Sequence, residues 1–345
     1  MSLHSEIFEQ PSRLQHLLAD QRPKTEAIAA AIRARDIAYA FLAARGTSDN
    51  AGRYANYLWG SVNRLPMALA TPSLFTYYQT PPSLHGALVV GVSQSGHSPD
   101  IVSVLAEGRR QGCLTLAITN VARSPMADQA DFVLDVQSGP ERAVAATKTY
   151  TGQLLAVAML SAALAQDETM WQDMARIPDW VAQVLELDGI LAQMAQRYRY
   201  MQRCVVLGRG FNYATAFEWS LKLKELTYVI AEPYSSADFQ HGPIAMLERG
   251  FPVMVIAPRG RVFPPMLELV QRLKHEHQAE LVIISDDETA LTLADSAIPL
   301  PQGIPEWLSP LVGIVPAQLF AYHLTGVKGL DTETPRSIHK VTDTR

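Results

Sequence analysis

The 345-residue sequence predicts an α/β protein of two related domains in tandem, each a doubly wound, mostly parallel sheet flanked by helices. Three observations carry that reading. Apolar runs of strand length alternate with helical patterns. Those runs lack polar alternation, as strands covered on both faces do. The whole pattern then returns about 164 residues later.

Taken in order, residues 37–44 form an apolar run that ends in Gly46-Thr47-Ser48, and a helical pattern continues to about Ser61. Residues 87–92 are continuously apolar and stop at Ser93-Gln94-Ser95-Gly96. A helix pattern follows through Ile101, Val104, Leu105 and Gly108. Residues 114–119 and 132–136 are two more buried-strand candidates. The order β-α-β-α-β calls for a parallel sheet with helices on both faces.

The repeat is seen at strand ends. Arg45-Gly46 returns as Arg209-Gly210 and Gly96 as Gly260, both 164 residues on. The strand ending Ile118-Thr119-Asn120 returns as Ile284-Ser285-Asp286, 166 residues on. Residues 151–199 are helix-forming, with a break expected near Pro178. The expected organisation is an N-terminal helical segment (1–36), a first domain (37–165), a helical connector (166–199), a second domain (200–327) and a polar tail (328–345). Residues 311–324 should form a final helix, and the tail a loop.

Composition narrows the function classes. Hydrophobic residues make up 48% and charged residues 18%, which fits a folded globular protein. The formal charge of −5 lacks the basic excess of a nucleic-acid binder. No secretory h-region opens the chain, and residues 154–165, read as the longest apolar stretch, are too short to cross a bilayer. A cytoplasmic protein without nucleic-acid or membrane partners is expected. Cys113 and Cys204 sit in apolar runs outside any CxxC or CxxH, so buried thiols are expected, and no metal site or cofactor.

Ligands of open α/β sheets gather beyond the carboxyl ends of strands. The loop Ser93-Gln94-Ser95-Gly96-His97-Ser98-Pro99 groups hydroxyls and an amide around a glycine. Ser98 suits an N-cap and Pro99 the first helical position. Such a helix start can hold a phosphate, or it can simply be a capped turn. The repeat favours the phosphate: the second copy reads Ala257-Pro258-Arg259-Gly260, without a serine. Serines needed only for the fold should occur in both copies, so one phosphate site per chain is expected. Further on, Lys222 and Glu225 share a helix face, which by itself is compatible with a surface salt bridge.

In order, Gly46-Thr47-Ser48, Ser93-Gln94-Ser95-Gly96, Ala146-Thr147-Lys148, Leu221-Lys222-Leu223-Lys224-Glu225, His241-Gly242-Pro243, Pro335-Arg336 and Lys340 resemble the tandem sugar isomerase (SIS) family. The match is to the isomerase half of glucosamine-6-phosphate synthase, over residues 40–340. The resemblance implies two SIS domains and a homodimer. It implies phosphate contacts from Ser48, Ser93, Gln94, Ser95 and Ser98, with Thr47, Val144 and Ala146 also binding substrate. Glu225 would be the base moving a proton between C1 and C2. His241 would open the sugar ring, reaching in from the partner subunit. Lys222 would be an active-site lysine and Lys340 the tail lysine near the carbonyl carbon.

Three positions depart from the family's pattern. About 40 residues precede the first strand, where the synthase carries a glutaminase domain, so glutamine is not expected to donate nitrogen directly. His97-Ser98 stands for a Glu-Thr pair. Ala146 and His339 replace the residues beside the family's Thr-Lys and tail lysine. The implied reaction on a 6-phosphosugar is glucosamine 6-phosphate plus water giving fructose 6-phosphate plus ammonia, with no metal. Related possibilities are a galactosamine-6-phosphate deaminase, a fructosamine-6-phosphate deglycase and a simple phosphosugar isomerase. A non-catalytic sugar-phosphate sensor is the alternative of another class. Residues 1–36, with Pro11 and Pro23, are too short for a full DNA-binding module of the usual sensor.

Overall fold

The computed structural model describes residues 2–340; residues 341–345, the end of the expected tail, lie outside the described residues. The described residues form two compact units, one of residues 9–142, 146–178 and 339–340, the other of residues 2–8, 143–145 and 179–338. The N-terminal segment and the connector are therefore each divided between units, with the connector parting after Pro178.

The first unit holds five parallel strands: β1 (Tyr39–Ala43), β2 (Met67–Leu69), β3 (Ala87–Ser93), β4 (Leu114–Thr119) and β5 (Phe132–Asp135). Their order is β2-β1-β3-β4-β5. All seven residues of β3 and all six of β4 are buried, Thr115 and Thr119 of β4 included, as in strands covered on both faces. Their register sets Leu88 beside Leu114 and Ser93 beside Thr119. On one face Ile101, Val104 and Leu105 of the helix Pro99–Arg110 pack against Val89 and Ala117. The helix Lys148–Ala165 is buried along almost its whole length. Trp59 of the helix Thr47–Val62 donates its indole N–H to the Val157 carbonyl of that helix at 3.2 Å.

The helix-forming segment is interrupted just before Pro178, between Met174 and Ile177, as expected, and also earlier. Gln166 turns left-handed (φ 54°), and Asp167 then caps the helix Glu168–Met174 by accepting from the Thr169 and Met170 amides. Pro178 is the second residue of the helix Ile177–Leu185. A proline there gives up an amide that has no partner within the helix, so it starts a helix as readily as it ends one.

The second unit repeats the plan with β6 (Arg203–Gly208), β7 (Ile230–Ser235), β8 (Pro252–Ile256), β9 (Glu280–Ser285) and β10 (Ser296–Pro299). Read from β7, the order β7-β6-β8-β9-β10 matches the first sheet strand for strand. Val205, Val253, Leu281 and Ile283 meet Met266, Leu269, Val270 and Leu273 of the helix Phe263–His275. The final helix, Ser309–Val327, contains the expected segment 311–324 and is longer than the apolar stretch 154–165. Glu306–Val327 is long and apolar enough to cross a membrane by composition, but 78% of its apolar window is buried, as in a core helix. Cys204 is buried, which pushes its thiol pKa up to about 12, while Cys113 is only half-buried and donates to the Leu84 carbonyl.

Candidate active site

In both sheets the strand order reverses between the first and third strands, the point where doubly wound folds open a crevice. In the first unit the loops after β1 and β3 end there. The β3 loop is organised by its own serines. The Gly96 amide donates to Ser93 Oγ at 3.1 Å and the His97 amide to Ser95 Oγ at 3.3 Å. The Gln94 carbonyl accepts from the Asn120 amide. Gly96 is left-handed (φ 67°), and a Cβ on it would lie 2.2 Å from Ser124 Oγ, so only glycine fits this turn. Ser98 stands at the N-cap of Pro99–Arg110 with its hydroxyl making no cap bond.

Two supports under this loop carried no sequence signal. Asp100, fully buried in the first helical turn, takes the Arg45 guanidinium at 2.6 Å. Ser48 Oγ accepts from the buried Gln153 side chain at 3.0 Å, which fixes that hydroxyl at the start of Thr47–Val62. Gln153 stands directly before the apolar stretch of the helix Lys148–Ala165, where one amide carries no local signal.

The second unit's equivalent loop is chemically different. A Cβ on Gly260 would lie 2.2 Å from Cδ of Glu306. The Glu306 carboxylate accepts from the Arg261 amide at 2.9 Å and the Val262 amide at 3.3 Å. A carboxylate of the chain thus occupies loop amides of the kind that would cradle an anion. The amides of the second loop are satisfied without serines.

The second unit also carries the proposed acid–base residues. The helix Tyr213–Lys222 passes into a π-helical turn, Leu223–Thr227, closed by left-handed Tyr228. The wider turn changes which side chains share a face. Lys222 Nζ lies 2.6 Å from Glu225 Oε2 and 3.3 Å from Glu218 Oε1. Burial differs sharply along the cluster: Glu218 and Lys222 are enclosed, whereas Glu225 is a quarter exposed. Burial pulls the Lys222 pKa down, but Glu218 and Glu225 outweigh it and push it up. Lys222 therefore stays an ammonium, and the cluster reaches solvent at Glu225. The bland possibility of a surface salt bridge is excluded, because the lysine is not on the surface.

The other sequence-selected residues are spread over several elements. His241 is exposed, at the C-cap of the helix Ser236–Gln240, and its amide donates to the Asp238 carbonyl. Among the described residues its ring makes no hydrogen bond to Glu225. Gln94 and Thr47 are half-buried, as are Val144 and Ala146, which precede Lys148–Ala165. In the first unit Lys340 Nζ donates to Glu141 Oε2 at 2.8 Å. Glu141, fully enclosed, also accepts from the Thr147 and Thr149 amides and the Thr149 hydroxyl. In the second unit the Arg336 guanidinium stacks 3.8 Å over the Tyr228 ring, and the Arg336 amide donates to its hydroxyl.

The SIS domain model matches residues 35–163 and 199–328, one copy on each sheet. The chain belongs to the SIS domain family. It is 32% identical over 348 residues to a glutamine–fructose-6-phosphate aminotransferase (isomerizing) of Thermus thermophilus, covering 97% of this chain and 57% of that protein. The chain thus spans a little over half the length of such relatives. Among solved structures, the C-terminal domain of glucosamine-fructose-6-phosphate aminotransferase from Francisella tularensis matches with a TM-score of 0.88 at 26% identity. That match covers 96% of this SIS chain and 98% of the other. Glucosamine-6-phosphate deaminase from Thermotoga maritima shares the fold, with a TM-score of 0.80 at 18% identity over the full length of both chains.

Proposed function

We propose that this SIS protein is an aldose–ketose isomerase of amino-sugar phosphates that releases ammonia. Glucosamine 6-phosphate and water are converted to fructose 6-phosphate and ammonia. The observation that carries the reading is the Glu218–Lys222–Glu225 cluster. One carboxylate reaches solvent from a π-turn, paired to an enclosed ammonium that a second, buried carboxylate neutralises.

Glu225 takes the C2 proton of the open-chain sugar and returns it to C1. The product of that transfer is an imine at C2, which water hydrolyses to the ketone and ammonia. No electrons leave the substrate, and the water oxygen becomes the C2 carbonyl oxygen. His241 assists ring opening, and Lys340 acts near the carbonyl carbon. Ser48, Ser93, Gln94, Ser95 and Ser98 with the helix start hold the phosphate, assisted by Thr47, Val144 and Ala146. Binding the phosphate far from C1 and C2 fixes the reacting carbons, lowering the barrier through orientation.

Purified protein incubated with a panel of 6-phosphosugars, with ketose and ammonia both measured and no glutamine added, tests the proposal. Glucosamine 6-phosphate should yield equal amounts of fructose 6-phosphate and ammonia. Ammonia from galactosamine 6-phosphate alone would change the epimer. Glucose 6-phosphate and an amine from a phosphorylated fructosamine would indicate a deglycase, and ketose without ammonia a simple isomerase. Binding of every sugar without turnover would make the chain a sensor.

A further inference from the structure

His4, Asp188 and His323 converge from three separate helices of the second unit. His4 lies in Leu3–Phe8, Asp188 opens Asp188–Arg197, and His323 lies in Ser309–Val327. One carboxylate oxygen, Asp188 Oδ1, stands 2.7 Å from His323 Nε2 and 3.1 Å from His4 Nε2. One donor atom from each of the three residues lies within 4.8 Å of the others. The imidazoles are also held in place: the His4 ring packs at 4.7 Å from Phe8 and 4.9 Å from Tyr322.

We propose that His4, Asp188 and His323 form a binding site for one first-row divalent transition metal ion, Zn²⁺ being the natural occupant. Two neutral imidazoles and a carboxylate are a borderline-soft donor set, suited to Zn²⁺ or Co²⁺ rather than Mg²⁺ or Ca²⁺. Ligand atoms about 2.0–2.2 Å from a tetrahedral zinc stand roughly 3.3 Å apart, so the observed spacing needs only a small opening. A cleft of about 650 Å³ lined by Gln196, Tyr322, His323 and Asp331 adjoins the site at His323, the side from which a water would enter as fourth ligand. The ligands are 184 and 135 residues apart in sequence, so the ion would tie the N-terminal helix to Asp188–Arg197 and to the final helix of its unit. Its role is a structural clip, separate from the sugar chemistry.

The test is titration of the chelator-treated full chain with Co²⁺, following the visible ligand-field bands, then competition by Zn²⁺. One Co²⁺ per chain should bind saturably with a tetrahedral-type spectrum, and Zn²⁺ should displace it and raise Tm. Asp188→Asn and His323→Gln should each lose the saturable signal. Where those do not fold, His4→Gln, at the end of the chain, should lose it with the circular dichroism unchanged. Absence of saturable one-to-one binding by the wild type overturns the site. So does wild-type binding in any of the three variants.

Discussion

Glu225 and Lys222 share one ion pair, yet substitution tests different things at each. Lys222 neutralises Glu218, which is fully buried, so removing the ammonium strands a buried charge at a cost of about 3–5 kcal/mol. Loss of activity in a Lys222 variant would therefore report folding as readily as chemistry. Glu225 is partly exposed and can be changed to its isostere without that penalty. Glu225→Gln should fold and bind sugar phosphate normally while turnover falls about 10²–10⁴-fold. Exchange of the C2 proton with deuterium, followed by NMR, should be present in the wild type and absent in the variant. Undiminished exchange in the variant would remove Glu225 from the mechanism. The loop serines divide in the same way. Ser93 Oγ and Ser95 Oγ support loop amides, whereas the Ser98 hydroxyl caps nothing. Ser98→Ala should chiefly raise KM, by about tenfold or more for one lost bond to a charged group. Ser95→Ala should also raise KM but lower Tm as well, a split that calorimetry and kinetics together resolve.

Hydrophobic pattern specified the helices and inner strands better than the edges. β3, β4 and β9 read as strands because burial on both faces leaves them mostly apolar, with few polar residues such as Ser93, Thr115 and Ser285. β2, β7 and β10 gave no such pattern: three-residue β2 is largely exposed, β7 contains Pro233 and an exposed Ile230, and four-residue β10 alternates. The π-turn was equally invisible, since Leu-Lys-Glu-Leu-Thr suits an α-helix as well. Glu141 was missed for another reason. It caps the helix Lys148–Ala165 from seven residues away, outside any local capping spacing. Burial pulls its pKa up, but Lys340, the Thr149 hydroxyl and the Thr147 amide outweigh it and hold it below the usual carboxylate range. A carboxyl lowered on folding stabilises at pH values above its unfolded pKa of about 4.3, and that contribution fades as pH falls toward the folded value. Glu141→Gln should therefore cost about 1–3 kcal/mol at neutral pH. The gap from wild type should narrow steadily below about pH 4. Urea unfolding of both proteins across that range is the check, and a gap independent of pH would mean that the charge contributes nothing.

At the level of the whole chain, duplication was the most legible feature, because strand ends keep their spacing even where side chains diverge. Gly96 and Gly260 show why: each is pressed against a side chain, Ser124 in one copy and Glu306 in the other, so both copies retain glycine while their neighbours changed. What sequence could not reveal is that Glu306 fills the second loop, since the contact joins residues far apart in the chain. Divergence of the copies leaves serines in one SIS domain and the Lys222–Glu225 pair in the other, so neither domain holds the full set of groups the proposed reaction uses. His241 adds a question of assembly. Its ring is exposed and makes no hydrogen bond to Glu225 among the described residues, which suits a group acting on a neighbouring subunit's substrate. If the protein is a homodimer sharing His241 in this way, Glu225→Gln and His241→Asn chains, each inactive alone, should complement one another. In a hybrid dimer one site collects both defects and the other collects neither. Random pairing of equal amounts makes half of the dimers hybrid, so about a quarter of wild-type sites should be intact. Subunit exchange, confirmed by native mass spectrometry, followed by ammonia assay of the mixture reads this directly. Confirmed exchange without recovered activity would assign Glu225 and His241 to the same chain's site.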